Sequence, residues 1–126
     1  MIQFKGGSIV RKLTHRCTRD YMYNLQSHKE ETLYKIEQTA SIPEHNDIHD
    51  FFKKRLELLQ FIEKQCFLLT GEMYEVAKLM LDNVSYKVSV ETYWKRYEKG
   101  ESSFNRRKKD VLEIVTSQVN RFLDFE

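Results

Sequence analysis

The chain has 126 residues, 40% of them hydrophobic and 32% charged, with four glycines, one proline and a formal net charge of +2. That apolar fraction and small net charge exclude a wholly disordered chain, and the scarcity of Gly and Pro excludes fibrous and linker-like classes. A single helical domain over 1–126 fits this length, and folding should bury roughly 65–70% of the unfolded surface without disulfides or a structural metal.

The first stretch is basic. Residues 1–19 carry Lys5, Arg11, Lys12, Arg16 and Arg19 and no acid, while residues 20–94 hold thirteen acids against eight bases. Two readings of this start stand side by side. In one, Arg11, Lys12 and Arg16 belong to a disordered arm that lies along phosphates. In the other, helix one extends backwards, with Leu13, Cys17 and Tyr21 at four-residue steps facing the core. Lys5 and the Gly6-Gly7 pair stand where a secretory apolar core would be, and no stretch approaches the ~20 apolar residues of a membrane span. The expectation is a cytoplasmic protein without a membrane partner, with Cys17 and Cys66 as reduced thiols.

Tyr21, Met22, Leu25, Leu33, Ile36 and Ala40 recur at helical steps, which predicts helix one over about 19–40, capped by Thr18 or Asp20. Ser41 to Asn46, with the only proline, reads as a connection. Asp47 should cap a second helix with the stripe Ile48, Phe52, Leu56, Leu59, Ile62, Cys66 and Leu69, the longest core element. A third helix follows Thr70, with Met73, Val76, Ala77, Met80, Leu81 and Val84 on one side and Leu69 stapled to its start.

Ser89 is the expected cap of a short helix whose Val90, Tyr93, Trp94 and Tyr97 fall on one buried face. Glu98-Lys99-Gly100 interrupts it, the glycine supplying a tight turn. A long helix then directs Phe104, Val111, Val115, Val119 and Phe122 inward, and Ser103, Asn105, Arg106 and Lys109 outward. A second basic island accompanies this change: Lys95, Arg96, Lys99 and Arg106 through Lys109 stand against Glu98 and Glu101. Short helix, turn and basic-faced helix over 85–126 is the layout of a helix-turn-helix. Ser, Asn and Arg can read base edges, while Lys and Arg neutralise phosphates; the alternative is a solvated basic face.

The segment Thr18-Arg19-Asp20-Tyr21-Met22-Tyr23-Asn24-Leu25-Gln26-Ser27-His28-Lys29-Glu30-Glu31-Thr32, with Ile36-Glu37 after it, resembles the opening of the RinA/ArpU family of phage transcriptional regulators. At the other end, Ser102-Ser103-Phe104-Asn105-Arg106-Arg107-Lys108-Lys109-Asp110-Val111-Leu112 resembles that family's recognition helix and is similar to the fourth region of bacterial sigma factors. Two positions depart from the pattern: Gly100 stands where the family has a serine cap, and Trp94 where a helix-turn-helix has a small residue. Trp94 is therefore expected between the last two helices and the third.

The resemblance implies a phage- or prophage-encoded, DNA-binding transcription regulator in the bacterial host cytoplasm, activating late genes, with host RNA polymerase as a further partner. The DNA-binding set is Ser102, Ser103, Asn105, Arg106, Arg107 and Lys109 on the last helix, Lys95, Arg96 and Lys99 before it, and Arg11, Lys12 and Arg16 at the start. Double-stranded DNA is the expected ligand, and a homodimer stays open. Two other classes remain: a module docking on host polymerase or another host protein through the acidic middle, and a terminase-small-subunit-like packaging protein. His45 and His49 have i, i+4 spacing but no third ligand cluster, so no metal or cofactor is expected. Without a phosphate loop, a nucleophile elbow or an activated cysteine, the sequence does not read as an enzyme. Tyr86, Tyr93, Trp94, Tyr97 and Phe104 could stack on single-stranded bases, but their spacing points to core packing.

Overall fold

A computed structural model describes residues 12–124. They form six α-helices, α1 (His15–Tyr23), α2 (Leu25–Thr39), α3 (Asn46–Phe67), α4 (Gly71–Leu81), α5 (Tyr86–Tyr97) and α6 (Glu101–Asp124), and a 3-10 turn at Pro43–His45. No strand occurs among the described residues, so the fold is all-α. Arg11 and the earlier residues lie outside the described range.

The first predicted helix is two helices. Asn24 leaves helical geometry, and the break lets α1 pack on α6 while α2 runs along α3. Thr14, rather than Thr18 or Asp20, caps α1: its Oγ1 accepts from the Cys17 N–H at 3.1 Å. Thr18 is instead fully buried, donating to the Thr14 carbonyl and accepting from Thr116 Oγ1 at 2.7 Å. Leu13 is 4% exposed, with Cys17 and Tyr21 packed against the same core, so of the two readings of the start the core-facing one holds from Leu13, although the helix itself begins only at His15.

The α2 stripe also differs from the expected one. Leu33 is exposed, and the buried positions are Leu25, Thr32 and Thr39 at seven-residue steps. The two threonines bury their hydroxyls by donating to carbonyls four residues back, Thr32 to His28 at 2.6 Å and Thr39 to Lys35 at 2.9 Å. A count of apolar residues misses such a seam, because threonine can face a neighbour once its hydroxyl is satisfied locally.

In α3 the buried set is Leu58, Leu59, Ile62 and Cys66, whereas Ile48 is exposed near the helix start. Asp47 lies in the first turn, one residue inside the helix, and so does not cap it. The longest helix is α6, at 24 residues against 22 for α3. Its buried Phe104, Val111, Val115 and Val119 make it the hub, touching α1, α3, α4 and α5. Phe122 stacks on Phe61 of α3, ring centroids 4.3 Å apart. Neither Cys17 nor Cys66 forms a disulfide, and burial pushes the Cys66 thiol up to about 12.

Pairings of Leu13 with Asn120, Thr18 with Thr116 and Tyr23 with Lys108 show that α1 runs antiparallel to α6. Asn120 clamps the chain before α1, its Oδ1 accepting from the Leu13 N–H at 2.7 Å and its Nδ2 donating to the Leu13 carbonyl at 3.1 Å. Both peptide groups of Leu13 are thereby satisfied by one side chain from the far end of the sequence.

Candidate nucleic-acid interface

Helix α5 begins one turn earlier than expected. Ser85 is its cap, accepting from the Val88 N–H at 3.4 Å, while Ser89 is buried inside the helix with its hydroxyl on the Val84 carbonyl. Ser89 and Tyr93 centre the buried face, with Val90 and Tyr97 partly buried beside them. Trp94 follows Tyr93 by one residue, about 100° around the helix, and is 58% exposed. The expected burial of Trp94 between α5, α6 and the third helix is thus overturned: Tyr93 fills that place, its ring 5.6 Å from Phe104 in an edge-to-face arrangement.

The turn is also made differently. Glu98, with φ of 55°, takes the left-handed conformation that usually falls to glycine, and its N–H donates to the Trp94 carbonyl at 2.7 Å. Gly100 has no positive φ, and a Cβ built there would meet nothing within 4 Å. The glycine therefore does not make the turn, and a serine would fit in its place. A three-residue connection, 98–100, nevertheless joins α5 to α6 and leaves the outer face of α6 open.

Ser102, Asn105, Arg106 and Lys109 are exposed on α6, and Ser103 is half-buried. Arg106 lies almost opposite the buried stripe. Asn105 is held by its amide, which donates to the Tyr86 hydroxyl at 2.9 Å, so the start of α5 orients a residue of α6. Lys95, Arg106 and Lys109 form no ion pair among the described residues. The other cations of the second island are engaged. Lys99 donates to Glu72 at 2.7 Å, Arg96 lies 3.5 Å from Glu75, and Arg107 pairs with Asp110 at 3.2 Å. Lys108 sits over the rings of Tyr23 and Tyr86, 5.1 and 5.6 Å from their centroids. A tally of seven bases thus becomes an outer surface with three unpaired cations.

Glu72 is the hinge of this arrangement. One carboxylate oxygen accepts from the Tyr93 hydroxyl at 2.5 Å and the other from Lys99, which binds α4, α5 and the turn together. The Lys99 and Tyr93 hydrogen bonds hold the Glu72 carboxyl below its usual pKa. Burial, and then the same carboxylate, push the Tyr93 phenol up to about 12. Sequence reasoning passed over Glu72 and Glu75; their i, i+3 spacing places both carboxylates on one side of α4, but nothing local says which helix they face.

The first island lies elsewhere. Lys12 and Arg16 are exposed at the start of α1, beside the Asn120 end of α6. Fourteen residues of helix separate Asn120 from Arg106, roughly 21 Å along the axis. Lys12 and Arg16 therefore do not join the α5–α6 cations in one patch. The paired-histidine stretch is occupied differently: His49 Nδ1 lies 2.9 Å from Thr39 Oγ1, across the α2–α3 seam. No helix among the described residues is long and apolar enough to cross a membrane.

Comparison with known proteins finds no matching family model, no matching curated protein and no matching solved structure.

Proposed function

We propose that the chain binds duplex DNA through α5, the 98–100 turn and α6, used as a helix-turn-helix. The observation that carries this reading is the division of α6: Phe104, Val111 and Val115 fix it in the body, while Ser102, Asn105, Arg106 and Lys109 stand in solvent on its first turns. A rigidly held helix with Ser, Asn and Arg on the open side can reach base edges in a major groove, and its unpaired Lys109 can neutralise a phosphate. With the RinA/ArpU resemblance, this makes the chain a phage or prophage regulator of transcription, with late-gene activation as the resemblance's contribution.

Fluorescence anisotropy against duplexes, read across a salt series, tests the reading. Arg106→Ala should cost about 1–3 kcal/mol at a preferred site and relax the preference. Lys109→Ala should weaken all duplexes alike and lower the log–log salt slope by about 0.9. Equal binding of wild type and Arg106→Ala to specific and random duplexes would remove base reading by Arg106, and no salt-dependent binding at all would remove the function.

One observation favours the protein-docking alternative. Phe67 and Leu68, at the end of α3, stand 55% and 64% exposed beside Tyr74. That alternative predicts binding to host polymerase that survives loss of Arg106 and Lys109 and fails with Phe67→Ser.

A further inference from the structure

On α5, where it faces α4, lies an open hollow of about 640 Å³, lined by Thr92, Lys95, Arg96 and Tyr97. Its chemistry is that of an anion receptor. Lys95 supplies an unpaired ammonium and Arg96 a guanidinium fork, with the Tyr97 hydroxyl next to it. The Thr92 hydroxyl spends its proton on the Val88 carbonyl at 2.8 Å, leaving the other three as donors. Three donor groups, two of them cationic, suit the several acceptor oxygens of a phosphate group.

Arg96 is not free to serve without a change of partner. Its nearest acid is Glu75 of α4 at 3.5 Å, and the two side chains are 64% and 35% exposed. The Tyr97 hydroxyl and the Glu75 carboxylate both raise the guanidinium pKa. The neighbouring pair is built otherwise: Glu72 is tied to both Lys99 and Tyr93, so releasing Lys99 would also disturb a buried phenol. Glu75 has only the long, exposed contact to Arg96, worth little and readily exchanged.

We propose that this hollow is a phosphate subsite in which Lys95 and Arg96 take one phosphate group, and that Glu75 competes with the phosphate for Arg96 and so sets the affinity of the subsite. The source of the phosphate, a backbone phosphate of duplex DNA, rests on the duplex-binding reading. On binding, the guanidinium turns from the Glu75 carboxylate to the phosphate oxygens, with no covalent change. The subsite then extends the interface of α6 by one backbone contact on α5, and the acidic edge of α4 acts as a built-in competitor.

The test uses the full chain with side-chain nitrogen NMR and inorganic phosphate as probe, against chloride at equal ionic strength. A saturable shift of the Arg96 Nε–H resonance is expected. Glu75→Gln should tighten it by about two- to five-fold, the worth of one exposed ion pair, and Arg96→Gln should abolish phosphate-dependent shifts at Lys95. In a duplex titration Arg96→Gln should lower the salt slope by about 0.9. Glu75→Gln should strengthen binding in the wild-type background but change little once Arg96 is gone, which separates competition for Arg96 from loss of a negative charge. No saturable shift at Arg96, or an unchanged phosphate constant in Glu75→Gln, would overturn the subsite even in a protein that binds DNA. A saturable shift in a protein that binds no duplex would keep the subsite and discard the duplex reading. Duplex binding with an unchanged slope in Arg96→Gln would overturn the backbone-phosphate source.

Discussion

The two basic islands carry the same formal charge in the sequence, +5 over residues 1–19 and +5 over residues 95–109, yet the fold uses them differently. The described part of the first is anchored through its apolar and backbone atoms, with Leu13 in the core and Asn120 holding its peptide groups, while Lys12 and Arg16 face solvent. In the second the charges are themselves engaged: Lys99 is tied to Glu72, and Arg96 and Arg107 make looser, partly exposed pairs with Glu75 and Asp110. Equal charge therefore gives unequal availability. What a polyanion would meet is the residue left after internal pairing, and in the second island that residue is concentrated at Lys95, Arg106 and Lys109.

Breaking the first anchor should have the largest effect. Leu13→Ala should lower stability by about 2–4 kcal/mol, as a buried leucine truncated to alanine does, measured by urea unfolding. A loss under 0.5 kcal/mol would show that the segment before α1 does not pack on α6. The duplex affinity of the folded variant should be unchanged, since this island lies at the far end of α6.

The second anchor should be sensitive to alkali where the first is not. Tyr93 has its pKa raised to about 12 from an ordinary 10, so its contribution to stability is complete below pH 10 and is lost as pH rises towards 12. The loss over that window should be on the order of 1–2 kcal/mol, 1.36 kcal/mol per unit reduced by solvent screening at the Glu72 carboxylate, and Tyr93→Phe should flatten it. A decline of the same size in Tyr93→Phe would assign it to another group.

Trp94 provides the smallest effect and the sharpest check on the register of α5. With its ring exposed, Trp94→Ala should change stability by no more than about 0.5 kcal/mol, and the emission of the only tryptophan should be solvent-like and quenched by iodide. Blue-shifted emission with little quenching would restore the buried position that the spacing predicts.

The sequence made the helical class and most of the core legible, because Ile62, Cys66, Val76, Val111, Val115 and Val119 fall at helical intervals and are all buried. It was misleading wherever a choice between adjacent residues depended on a distant partner. Tyr93 and Trp94 are equally apolar by type, and only the arrival of Phe104 and Glu72 decides which faces inward. The cap of α1 differs from the expected one for a related reason: Thr18 has the right chemistry for a cap, but Thr116, 98 residues away, draws it into the core. In the candidate interface, the outward positions Asn105, Arg106 and Lys109 follow from periodicity alone, whereas Ser103, expected outward with them, is half-buried. The acids that face Arg96 and Lys99 from α4 do not follow from it, since pairing across helices leaves no local trace.

The seam of α2 has a consequence for how the molecule opens. Leu25 is its only buried large apolar residue, and Thr32 and Thr39 satisfy their hydroxyls within the helix itself, so α2 brings few large apolar side chains to the extensive seam it forms with α3. The main polar links across that seam are the partly exposed Lys29–Glu63 pair at 2.8 Å and contacts of His28 with Arg55 and of Thr39 with His49. Segments that bury so few large apolar side chains of their own detach at a fraction of the global unfolding cost. Amide hydrogens of α2 should thus exchange by a local opening, in advance of those of α6, whose protection should match the free energy of the whole fold. The body carrying the candidate interface would keep its shape while this helix comes and goes, and equal protection of α2 and α6 would instead make the domain one cooperative unit.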